Sequence, residues 1–283
     1  MIIDAHTHIF PEKIAAAAVA KLAEAAHIRA WTEATEESLL ASEKKAGIDL
    51  GIVLPVATAP GQVIKVNDRS ARLNEKYRQQ GIFSLGCIHP DFEGWHEELG
   101  RIRELGLRGI KLHPVYQQTD IDDIRFLRII DRAASLGLVV VTHAGIDIGM
   151  EGIHCSPAMC RHVAEEIGPF KFVLAHMGGW RNWDEVPQLL ADTGVYLDTA
   201  FSAPTFDRAD DGFWSQEETK MLSAEEMVKM IRIFGAERIL FGTDSPWSDQ
   251  AQALSFIRNL PLTDEEKKAV LGENAARLFS LEP

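Results

Sequence analysis

Eight short apolar runs recur along the chain, and no other feature narrows the fold as far. They read IIDAHTH (2–8), DLGIVLP (49–55), IFSLGCIHP (82–90), RGIKLHP (108–114), LVVVTHAG (138–145), KFVLAHMGG (171–179), VYLDTA (195–200) and RILFGTDSP (238–246). Several are nearly continuous rather than alternating, the pattern of parallel strands covered by helices. The pieces between them carry helical spacing. RIRELG and DDIRFLRIIDRAASLG end at Gly106 and Gly137, and AEEMVKMIRIFG ends at Gly235. Glycine suits the left-handed residue just past a helix. Thr263 followed by Asp264, Glu265 and Glu266 offers an N-cap with acidic residues in the first turn. Eight strand–helix units in 283 residues predict one α/β domain spanning 1–283, a single (β/α)₈ TIM barrel. An open doubly wound sheet would want a glycine-rich turn after its first strand; the chain has THIFPEK there.

Charge and cysteine usage restrict the partners. Lys plus Arg number 29 against 42 Asp plus Glu, a net charge of −13, which disfavours nucleic-acid and anionic-membrane surfaces. No apolar run is long enough to span a bilayer, and the start lacks a secretory pattern, so a cytoplasmic protein is expected. Cys87, Cys155 and Cys160 form an odd set without CxxC spacing, as free thiols do. HCSPAMCRH brings His154, Cys155, Cys160 and His162 close in sequence. Ser156-Pro157 reads there as an N-cap and first helical residue, which makes Cys160 and His162 ordinary helix positions.

The chemistry gathers at strand ends. His6 and His8 close the first run, and strand alternation predicts that Asp4, His6 and His8 share one face. HxH alone is compatible with a metal grip or a chance pair. His113, His143, His176 and Asp244 end later runs, and barrel strand ends converge on one rim. His89 is expected to be a rim residue only. Neutral imidazoles with a carboxylate suit zinc or a similar divalent ion, and a ligand position left open would admit water. A remaining histidine would serve as acid or base. Two long connections, GIDIGMEGIHCSP and FSAPTFDRADDGFWSQEETKML, leave the same rim and are expected to be substrate loops.

Taken together, IDAHTHIF, GIKLHP, VVVTHAG, LAHMGG, LFGTDSPW and ENAARLF resemble the amidohydrolase superfamily. Within it they resemble the amidohydrolase-2 family, the branch that includes aminocarboxymuconate semialdehyde decarboxylase. The motifs run from residue 3 to 279, so the resemblance covers nearly the whole chain. It implies a barrel without the flanking β-sandwich of many amidohydrolases, and one divalent ion, expected to be zinc. It further implies His6, His8, His143 and Asp244 as ligands, and His176 as the group that orients or deprotonates metal-bound water. Asp244 would both hold the metal and accept a proton. In binuclear members a strand-four lysine becomes a carbamate, and Lys111 is compatible with that role or with pairing to a carboxylate.

On the substrate side, His113 and Lys111 are expected to line the pocket. Lys65, Arg181 and Arg208 are candidates for gripping a carboxylate. Trp180, Trp214 and Trp247 are candidates for an apolar wall. The leading expectation is a metal-dependent hydrolase of a small, carboxylated amide, ester or lactone. A metal-dependent non-oxidative decarboxylase is the alternative, ahead of a non-catalytic barrel or a metal nuclease. A small-molecule substrate and a homodimer complete the expectations.

Overall fold

The computed structural model describes residues 1–281. Its strands are β1 (Ile3–Thr7), β2 (Leu50–Val53), β3 (Ile82–Ser84), β4 (Gly86–Cys87) and β5 (Gly109–Leu112). They continue with β6 (Val139–Thr142), β7 (Phe172–Leu174), β8 (Tyr196–Asp198) and β9 (Ile239–Leu240). Every paired neighbour is parallel and follows in chain order. β3 and β4 are two halves of the barrel's third strand, and Leu85 N donates to Val53 O across the break at 3.0 Å. Asn67 and Asn74, on one face of helix Val63–Tyr77, bind the backbone of Cys87 and Ser84 from outside. Side-chain amides thus supply both the donor and the acceptor that each of these strand residues needs. The cylinder closes where Ala5 N meets Phe241 O at 2.8 Å and Asp244 N meets His6 O at 2.8 Å. The eight expected runs therefore form a closed eight-position TIM barrel, and no separate sheet domain accompanies it among the described residues.

Side chains alternate between two cores, as the pleat requires. Ile3, Ala5, Ile52, Phe83, Val139, Val141, Val173 and Leu240 fill the interior. Helix Asn274–Phe279 joins that cluster through Ala275, Leu278 and Phe279 and plugs one end. Ile110, Leu112, Val140, Phe172, Leu174 and Leu197 face outward onto helical residues such as Ile129, Val163 and Ile231. Burying each such side chain contributes roughly 1.5–3 kcal/mol.

Several expected local signals are present. Gly106, Gly137 and Gly235 adopt positive φ after their helices. Ser156 and Thr263 cap helices Pro157–Ile167 and Asp264–Lys268. Cys155 and Cys160 are buried in the outer core, and His154 and His162 instead pair with Asp120 and Asp122.

One expectation about β1 is corrected. Asp4 and His6 do not share a face, because the pairing with β2 steps from Asp4↔Gly51 to Thr7↔Val53, three residues against two. The extra residue is a β-bulge, which flips the side chains that follow. Asp4 turns to Thr243 and to Gln250 of helix Gln250–Asn259. His6 turns instead to Asp198 and Lys111 across the barrel.

Candidate metal centre and active site

The strand ends deliver three donor atoms to one point. His6 Nε2 lies 3.1 Å from His8 Nε2, and Asp244 Oδ1 lies 3.3 Å from the first and 3.1 Å from the second. Donors about 2.1 Å from a divalent ion stand about 3.0–3.4 Å from one another, between octahedral and tetrahedral geometry. The tautomers make this triangle meaningful. His8 Nδ1 sits 2.9 Å from Leu54 O, which can only accept, so in the neutral ring the proton is on Nδ1 and Nε2 carries a lone pair. His6 Nδ1 faces Asp198 Oδ2 at 2.8 Å with the same consequence. Burial, followed by the charge of Lys111, holds the His6 imidazole well below its ordinary pKa, so it stays neutral. Burial alone would raise Asp244, yet His6 and His8 outweigh it and hold the carboxyl below its usual value. With both imidazoles neutral, three unshared electron pairs converge on one point, as a cation between them would require.

His143 and His176 form the next layer. His176 Nδ1 donates to Ala200 O at 2.9 Å, which leaves Nε2 as the acceptor facing His143 Nδ1 at 3.1 Å. His143 Nδ1 therefore carries a proton, and its Nε2 is a buried lone pair with no hydrogen-bond partner. Burial lowers the pKa of both rings. By donor distance His143 groups with His113 and Asp147 rather than with the His6–His8–Asp244 triangle. Lys111 is fully buried, with Nζ 3.5 Å from His6 Nε2. Burial lowers its pKa to about 8 against the opposing pull of Asp198 and Asp244.

The backbone is strained where these groups are presented. His176, Phe201 and Asp244 all adopt positive φ, uncommon for residues with a Cβ. Gly145 is required by contact: a Cβ there would lie 2.1 Å from Trp180 N. Gly242 likewise leaves room for His6, whose Cβ would be 2.9 Å away from a side chain placed there.

An apolar cap joins loops that leave the rim. Ala26, Ile28, Trp180, Phe201 and Phe206 form a buried cluster, with Ile146, Trp214 and Trp247 packed against it. Trp180, Trp214 and Trp247 thus pack in or against one cluster. The candidate cations are engaged or exposed, with Arg181 lying over the Trp180 ring at 4.8 Å. Arg181 donates to the carbonyls of Lys220 and Glu218, Arg208 donates to Trp214 O, and Lys65 is exposed. Arg181 and Arg208 therefore pin the 201–222 loop.

Two carboxylates enter that sequence reading passed over. Asp198 ties His6 to β8 and also accepts from His176 N at 2.9 Å. A lone carboxylate in the apolar run VYLD was its visible signal. Asp147, on the loop after β6, is buried and faces His113 Nε2 at 3.7 Å; burial raises its carboxyl to about 6.

A parallel barrel with imidazoles and a carboxylate converging on its C-terminal rim defines a class of barrel enzymes that work around a bound cation. The chain belongs to the amidohydrolase family, whose model matches residues 3–281, and is an enzyme of that superfamily. No curated protein sequence matches it. Among solved structures it is similar to 5-carboxyvanillate decarboxylase from Sphingomonas paucimobilis, at 15% identity and a TM-score of 0.73, covering 99% of each chain. It is also similar to a dihydroxybenzoic acid decarboxylase from Polaromonas with bound manganese (15%, TM-score 0.70, covering 99% of this chain and 97% of the other). A third is a Pseudomonas putida protein assigned as a 2-pyrone-4,6-dicarboxylic acid hydrolase (18%, TM-score 0.68, covering 100% and 98%). At these identities the likeness shows the fold. Among the described residues no helix is long and apolar enough to cross a membrane.

Proposed function

We propose that the chain is a divalent-metal-dependent decarboxylase of a small carboxylated substrate. Hydrolysis of an amide, ester or lactone on the same residues is the second reading. The convergence of His6 Nε2, His8 Nε2 and Asp244 Oδ1 within 3.1–3.3 Å carries the metal assignment. Lone pairs repel at that range unless a cation lies among them. His143 is assigned as the fourth holder, since its Nε2 is a buried lone pair without a partner. When bound, the ion supplies Lewis acidity toward a carboxylate or carbonyl oxygen. Two imidazoles and a carboxylate suit zinc, and manganese is the ion bound in the Polaromonas relative.

The chain's own residues handle position and protons. Asp198 orients His6, and Asp244 stays ionised. On loss of CO₂ the electron pair of the broken C–C bond stays on the substrate carbon, which takes up a proton. His176 is assigned to carry it at Nε2, the ring's basic atom since Nδ1 is anchored on Ala200 O; a proton taken up there from solvent displaces the hydrogen bond from His143 Nδ1. Lys111 lies beneath the triangle as a pocket cation. Trp247, in the cap, is assigned to the apolar wall. Two observations favour decarboxylation: decarboxylases are prominent among the similar structures, and the site's His6, His143 and His176 are buried away from water. A carboxylate stripped of its hydration is raised toward loss of CO₂.

The test is a paired assay on protein stripped of metal and reloaded with manganese or zinc. Carboxylated phenols are followed for CO₂ and dicarboxylated pyrones for ring opening. Metal-dependent CO₂ release supports the assignment, and ring opening without CO₂ replaces it with hydrolysis. A protein that takes up no metal overturns both.

A further inference from the structure

We propose that His113 and Asp147 form a subsite that recognises a hydroxyl group of the substrate. The inference deepens the reading above and rests on a small substrate occupying the rim. Asp147 is fixed first: its Oδ1 accepts from Gly149 N at 2.9 Å, so the loop turn sets the direction of Oδ2. Oδ2 then stands 3.7 Å from His113 Nε2, too far for a direct hydrogen bond. One oxygen about 2.8 Å from each atom would therefore sit to the side of the line joining them, meeting both at an angle of roughly 80°.

The tautomer of His113 decides what that oxygen must be. Tyr116 N donates to His113 Nδ1 at 3.4 Å, so the neutral ring's proton sits on Nε2, the nitrogen 3.7 Å from Asp147 Oδ2. The ring is held by stacking, with Tyr116 at 3.8 Å between centroids and 15° between planes, and His143 at 4.5 Å and 17°. Its backbone is held as well, because His113 N donates to Gln117 Oε1 at 2.9 Å. An oxygen between the two residues must therefore accept from the imidazole N–H and donate to the carboxylate. A hydroxyl does both, whereas an ether or an ionised carboxylate has no proton to give. His113, His143 and Asp147 also have the composition of a cation site. A cation, however, needs a lone pair where Nε2 presents a hydrogen. The subsite adjoins His143, itself 3.1 Å from His176, so a hydroxyl held there lies beside the assigned proton carrier.

The experiment measures binding of benzoate and the three monohydroxybenzoates by calorimetry, with manganese content determined on the same samples. Wild-type protein, loaded or metal-free, is expected to bind one hydroxylated isomer at least about tenfold more tightly than benzoate. Asp147→Asn keeps an oxygen for Gly149 but turns an NH₂ toward His113, so the preference should collapse to within about twofold. His113→Phe keeps the stack, removes the N–H and should do the same. Wild-type protein that prefers no hydroxylated ring overturns the subsite, as does Asp147→Asn that retains the preference. Loss of one manganese in Asp147→Asn also overturns it, in favour of a cation site. Absence of manganese from wild-type protein instead strikes the metal reading, because the hydroxyl preference is read separately on metal-free samples.

Discussion

Two clusters on the same rim contain two histidines and one aspartate each: His6, His8 and Asp244 in one, and His113, His143 and Asp147 in the other. Their compositions are identical and their hydrogens differ. In the first, the far nitrogens are tied to Leu54 O and to Asp198, and lone pairs face inward. In the second, His113 accepts at its far nitrogen from Tyr116 and turns an N–H toward the carboxylate. The partner on the remote ring nitrogen therefore decides whether a histidine offers an electron pair or a proton.

The largest break in this comparison is expected from Asp244→Asn. Turnover should fall by about three orders of magnitude or more, with metal content near zero and the folded circular-dichroism spectrum retained. The same change at Asp147 should leave metal content at the wild-type value, and equal losses at both sites would erase the distinction. Chelation comes next. An ion at a hundredfold its dissociation constant stabilises the fold by about 2.7 kcal/mol, so stripping it should lower the melting temperature of wild-type and Asp147→Asn protein. Asp244→Asn should show no such drop.

Asp198→Asn tests the tautomer argument itself. It keeps a partner for His6 Nδ1 but removes the charge that holds the ring, and metal affinity should fall about 10–100-fold by titration. An unchanged affinity would show that Leu54 O and the triangle alone suffice.

The effect farthest from the chemistry is expected outside both clusters, at Glu43 in helix Glu36–Ala46, whose Oε1 is buried without a partner. Burial, with a lesser push from Asp4, moves its pKa from 4.5 to about 9. The native state then binds this proton more tightly than the unfolded chain. Its contribution to stability is complete below the lower value and is lost as pH rises toward the upper. Urea midpoints at pH 5 and pH 8 should therefore fall less in Glu43→Gln than in wild type, with the metal triangle untouched.

Much of this was legible in the sequence because barrel enzymes place chemistry at strand ends, and strand ends show as a histidine or aspartate closing an apolar run. His6, His8, His143, His176 and Asp244 all announced themselves in that way. What stayed hidden was supplied by the backbone of distant segments. No pattern around His8 or His176 reveals that Leu54 O and Ala200 O will fix their protons. Asp147 sits in a loop expected to meet substrate, but that stretch is irregular and without periodicity, so nothing set it apart from its neighbours. Arg181 had the charge to hold a substrate, yet the carbonyls of Lys220 and Glu218 engage its guanidinium.

The bulge in β1 also bears on how such a site can vary between chains. One surplus residue between Asp4 and Thr7 lets Ala5 and His6 both face inward. Deleting Ala5 would leave every ligand, every loop and the hydrophobic pattern of the other strands written in the chain. It would also return β1 to plain alternation with Asp4 still outward and His6 still inward, because the surplus residue would be gone. A comparison of sequences that demanded a fixed spacing from Asp4 to His6 would count such a protein as broken, although every ligand would keep its face.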